Sequence, residues 1–114
     1  MKNELERVRL SSRQKRELIS FLKHLKKELK VREVYLFGSR VCGVPLRDSD
    51  LDMLVVSEEF SKRSFIENME ALSRLWNGSF TLEVFPYTPE QIEKYKGRKT
   101  VVTEALEKGI RVKL

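Results

Sequence analysis

Between Ser11 and Lys30 apolar residues return every three or four positions: Leu18, Phe21 with Leu22, Leu25 and Leu29. That stripe predicts a helix over 11–30 with one face turned to a core. The pattern then changes. Residues 33–37 form a short apolar run, Glu-Val-Tyr-Leu-Phe, which predicts a buried strand. Residues 39–42 suit one helical turn, 43–48 a loop with Gly43 and Pro45, and 50–56 a second strand. Ser61 is the expected N-cap of a following helix, in which Phe65, Met69, Leu72 and Trp76 share a face up to Asn77-Gly78. A third strand is expected at 79–85. Thr88-Pro89-Glu90-Gln91 has the form of a capping box with proline in the first turn, so a short helix should run to Tyr95. Lys96-Gly97-Arg98 breaks it. A last helix is expected from Thr100 to before Gly109, and Ile110-Arg111-Val112-Lys113 alternates like an edge strand. The order predicts an α/β fold, a small mixed sheet backed by helices.

The chemistry concentrates where the first two strands meet their loop. Gly38-Ser39 ends the first apolar run, and Asp50-Leu51-Asp52 opens the second after ten intervening residues. Alternate residues of a strand share a face, so Asp50 and Asp52 should point together and Leu51 and Met53 oppositely. Two adjacent carboxylates repel unless a cation lies between them. Hard oxygen donors on a rigid strand suit Mg²⁺, which takes its remaining ligands from water and substrate phosphate. Gly38 leaves room for close backbone approach, Ser39 adds a hydroxyl, and the N–H groups of a following turn favour an anion. The set describes a site for a metal-bound triphosphate. Asp-x-Asp can also be plain surface carboxylate, and Gly-Ser a common turn. It is the pairing of the two, each anchored by an apolar run, that favours a site.

Gly-Ser, ten residues and Asp-x-Asp together resemble the signature of the DNA polymerase β-like nucleotidyltransferase superfamily. At 114 residues the chain is similar to its minimal nucleotidyltransferase (MNT) family. The resemblance implies the polymerase β-like core and a third acid on a later strand, which Glu83 in Leu82-Glu83-Val84 matches. It implies that Asp50, Asp52 and Glu83 gather on the open side of the sheet as catalytic and metal-binding residues, with two Mg²⁺ ions. It makes Gly38, Ser39 and Arg40 nucleotide-binding, with ATP or another NTP as substrate. Glu83 is further expected to take the acceptor's proton. The reaction implied is transfer of a nucleoside monophosphate, AMP foremost, to an acceptor hydroxyl. The family departs here at Cys42, which stands where relatives carry a second basic residue. Minimal nucleotidyltransferases of this type are often paired with a helical HEPN-type toxin and act as its antitoxin, in some cases by adding AMP to a partner tyrosine. A non-catalytic antitoxin that neutralises by binding alone is the alternative, and a basic nucleic-acid-binding regulator a third.

Composition narrows these readings. The length suits one domain, 1–114, with a basic helix at 11–30 and a catalytic core at 31–114. One cysteine and one histidine leave no internal disulfide, cysteine-based zinc site or His-rich metal site. No apolar run is long enough to span a membrane, and the first residues lack a signal-peptide pattern, so a cytoplasmic location is expected. His24 lies at the flank of the first helix's stripe and reads as a surface residue. Asp48 reads as a turn or cap residue, and Trp76 as packing. The net charge of +6 lies wholly in residues 1–30, which hold ten Lys or Arg against four Glu. Such a segment suits solubility, or steers an acidic partner or nucleic acid. A core this small should be completed by another polypeptide, a second copy or a HEPN-type partner, with 110–113 a candidate self-pairing edge.

Overall fold

The computed structural model describes residues 2–41 and 51–114. The expected loop at 43–48, Cys42, Asp48 and the start of the second strand at Asp50 lie outside them.

A helix over Ser12–Leu29 (α2) forms on the stripe expected of it. Ser11 caps it, accepting from the Gln14 N–H at 3.1 Å while the Gln14 side chain accepts from the Ser11 N–H at 2.9 Å. Leu18, Phe21, Leu22 and Leu25 are buried. The chain leaves α2 through Lys30 in the left-handed region and enters strand β1, Glu33–Phe37. Strand β2 (Leu51–Val56) runs antiparallel to β1, and β3 (Leu82–Tyr87) parallel to β2. Between them lie a 3₁₀ turn at Glu58–Lys62 and helix α3, Phe65–Leu75. Helices α4 (Pro89–Tyr95) and α5 (Val101–Lys108) lead to strand β4, Ile110–Lys113, antiparallel to β1. The sheet order is β3-β2-β1-β4. The mixed α/β architecture expected of the sequence is present.

Helices α2 and α3 share one core with the sheet residues Val34, Leu36, Leu51, Met53, Val55 and Val84. The other face carries a second, smaller core of Phe37, Leu54, Val102 and Ala105, with Tyr35, Phe85 and Tyr87 against it. Trp76 packs as expected: its ring lies edge-on to Phe21 and Phe80, and its indole N–H donates to the Phe80 carbonyl at 3.0 Å. His24 is exposed. The buried Asn68 amide donates to the Phe60 carbonyl at 2.9 Å, so its burial leaves a satisfied donor.

Several expectations need correction. Ser61 does not cap α3; it sits in the 3₁₀ turn, and its hydroxyl donates to the Glu58 carbonyl. Ser64 is the cap, in a complete capping box with Glu67. The third strand is shifted from 79–85 to Leu82–Tyr87, because Pro86 is accepted in a strand at the sheet's edge. β4 is the opposite edge. A short helix at Lys2–Leu5 (α1), too brief to show periodicity, packs on it. The Leu114 N–H donates to the Arg32 carbonyl at 2.9 Å.

Leu22 is fully buried beneath the sheet. Leu22→Ala should lower unfolding stability by about 2–5 kcal/mol, read as a reduced urea midpoint with an unchanged slope.

Candidate active site

Strand register decides which side chains meet. Phe37 of β1 stands opposite Asp52 of β2, and Asp52 stands opposite Glu83 of β3. Residues directly opposite in a ladder share a face. Asp52 and Glu83 therefore lie side by side on the face of the smaller core. The flanking Leu51 and Met53 point into the larger core and are fully buried, which locks the orientation of Asp52. The face is not bare, as the open-sided expectation had it. Helix α5 covers Phe37 and Leu54, leaving Asp52 half-buried and Glu83 exposed at the margin.

Gly38 follows Phe37 directly, at the same end of the sheet. Its φ is 98°, in the region that side chains rarely adopt, so glycine is demanded there by the backbone as well as by any approaching ligand. The turn closes with the Val41 N–H donating to the Gly38 carbonyl at 3.0 Å. Ser39 and Arg40 ride on this turn, both half-buried.

Arg40 is held from the N-terminal segment. The Arg9 N–H donates to the Arg40 carbonyl at 3.0 Å, and the Arg40 guanidinium donates back to the Arg9 carbonyl at 3.0 Å. The guanidinium also lies 5.3 Å from the Phe80 ring centroid, within cation–π range. Leu5 and Val8, both buried, anchor the same segment. Residues 5–9 thus brace the turn that carries Gly38 and Ser39. Nothing in the sequence marks this brace, because both hydrogen bonds run between Arg40 and backbone groups of Arg9, 31 residues apart.

The structure thus brings together Asp52, Glu83 and the Gly38–Arg40 turn, whereas Asp50 lies outside the described residues. Among the described residues no three His, Cys, Asp or Glu side chains form a metal-holding group. The model of the nucleotidyltransferase domain matches residues 15–112. The chain belongs to the nucleotidyltransferase domain family. The domain is also similar to a crystal structure described as that of a "putative nucleotidyltransferase" from Sulfolobus solfataricus. That likeness has a TM-score of 0.58 and 23% identity, over 72% of this chain and 73% of the other, and it bears on the fold. No curated protein is similar enough to match. Membership makes the chain a nucleotidyltransferase-type transferase domain with a nucleoside triphosphate as substrate. No described helix is long and apolar enough to cross a membrane.

Gly38→Val forces a branched side chain into a positive φ. It should cost about 1–3 kcal/mol of stability. Triphosphate affinity should fall at least about tenfold by calorimetry, a loss of about 1.4 kcal/mol of binding, with the far-UV circular dichroism retained. Unchanged nucleotide affinity would leave Gly38 a turn residue only.

Proposed function

We propose that this domain transfers a nucleoside monophosphate, foremost AMP from ATP, to a hydroxyl acceptor, and that Asp50, Asp52 and Glu83 are its catalytic and metal-binding residues. The observation carrying the reading is the row Phe37–Asp52–Glu83, which sets two carboxylates side by side next to the positive-φ Gly38 turn. Paired carboxylates are hard oxygen donors, and their mutual repulsion is relieved by a divalent cation, so the donor set fits Mg²⁺. Two bound Mg²⁺ ions would neutralise the triphosphate and lower the acceptor hydroxyl's pKa.

The chain's own residues divide the rest of the work. Gly38 lets the backbone approach the β- and γ-phosphates, and Ser39 offers its hydroxyl to them. Arg40 stiffens the turn through Arg9 and adds positive charge beside it. Glu83, exposed at the margin of the face, would accept the proton from the acceptor hydroxyl. Breaking the Pα–Oβ bond releases pyrophosphate as the new Pα–O bond to the acceptor forms. Positioning and charge neutralisation carry most of such catalysis.

We place the acceptor on another polypeptide, with a tyrosine of a HEPN-type helical toxin the best fit to the minimal-family resemblance. The domain then acts as a cytoplasmic antitoxin, as a single 1–114 unit that pairs with its partner or with a second copy.

The test is incubation of the purified chain with α-labelled ATP or other NTPs, Mg²⁺ and the product of the neighbouring gene. Label should appear on the partner. Asp52→Asn should abolish it while the thermal midpoint stays within a few degrees. Retained transfer in that variant would remove Asp52 from the chemistry. A stable complex without any label would replace the enzyme by the non-catalytic antitoxin.

A further inference from the structure

Helix α2 carries a feature that the nucleotidyltransferase reading leaves unused. Its buried residues Leu18, Phe21, Leu22 and Leu25 fix which side faces the sheet. On the opposite side Arg13, Arg16, Ser20, Lys23, Lys27 and Lys30 follow at three- and four-residue steps, and all are exposed. Steps of this kind align side chains in one ridge along a helix. At 1.5 Å per residue the ridge is about 25 Å long.

The ridge is under-neutralised. Three basic side chains elsewhere, Lys62, Lys96 and Arg111, are paired with Glu59, Glu93 and Glu33. On the ridge only its ends have partners, Arg13 with Glu17 and Lys30 with Glu59, each at 3.6 Å. Arg16, Lys23 and Lys27 pair with no described acid. Five of the ten basic residues of 1–30 thus stand on one outward line, three of them without an ion pair to a described acid.

From this we infer that the α2 ridge binds the phosphate backbone of a nucleic-acid duplex, without sequence preference. The lining chooses the occupant. A protein partner takes its affinity from buried aromatic and apolar anchors, and the ridge presents none. Single strands are held by stacking on exposed aromatics, and Phe21 is buried on the other side. A duplex backbone asks only for cations spaced along a line, which release counterions as they engage phosphates.

The experiment uses the full chain and labelled random-sequence duplexes of about two helical turns, in DNA and in RNA. Affinity should fall steeply as salt rises from about 50 to about 200 mM, with a log–log slope of roughly −4 for four to five engaged phosphates on DNA. The triple variant Arg16→Gln, Lys23→Gln, Lys27→Gln should bind at least about tenfold more weakly, with its slope reduced by about 2–3. A control variant with the same charge removed elsewhere, Lys94→Gln, Arg98→Gln, Lys99→Gln, should bind within about threefold of wild type, the spread expected of unspecific charge loss. Both variants change exposed side chains, and equal thermal midpoints check their folding. Magnesium-ATP affinity, measured alongside, should be the same in wild type and ridge variant, which separates this site from the active site. No duplex binding at low salt, equal losses in the two variants, or tighter binding of polyglutamate than of duplex would each overturn the proposal, the last in favour of an acidic protein.

Discussion

A carboxylate on the central strand β2 is the constraint around which this fold is arranged. Asp52 stands between Leu51 and Met53, both fully buried in the core beneath α2 and α3. Slipping β2 by one residue would bury the carboxylate and expose those two side chains, at a cost of several kcal/mol in desolvation and lost burial. The larger core therefore aims Asp52 at the other face. β3 runs parallel to β2 in a register that sets Glu83 beside it, and β1 ends in the same row, at Phe37. Packing on one face thus positions the charge on the other.

The second face meets two demands at once. Phe37 and Leu54 need cover, which α5 supplies through Val102 and Ala105. The carboxylates need access to solvent. The short helices α4 and α5 meet both demands by roofing only part of the sheet. Positive φ at Gly38 turns the chain away at the end of β1, and the Arg9–Arg40 hydrogen bonds hold that turn from outside the sheet. The N-terminal segment has a double role, since α1 also packs on β4.

Charge follows the same division. Lys62, Lys96 and Arg111 are paired with acids, while on the outward side of α2 only the end residues Arg13 and Lys30 are. Exposed pairs of this type contribute little stability, about 0–1 kcal/mol each. Their distribution matters for what approaches the protein more than for how firmly it folds.

Local chemistry was enough to determine much of the chain. The α2 stripe, the capping box at Thr88, the break at Gly97 and the alternation at 110–113 all formed where the sequence placed them, because each depends on neighbours within one turn or one strand. The turn at Gly38 and the strand positions of Asp52 and Glu83 were legible, since turn geometry and strand periodicity leave a local trace. Ser64-Phe65-Ile66-Glu67 is itself a capping box, so the Ser61 assignment passed over an available signal. Other features had no local trace. That Pro86 sits within a strand depends on β3 being an edge, that β4 gains a packing partner depends on α1 folding back onto it, and that Arg40 is clamped depends on backbone groups of Arg9. The partial roof over the Asp52 face likewise depends on where α5 returns to the sheet. Periodicity tells which side of an element seeks a core; only the assembled chain decides which distant element provides it, and how much of the other side it leaves open.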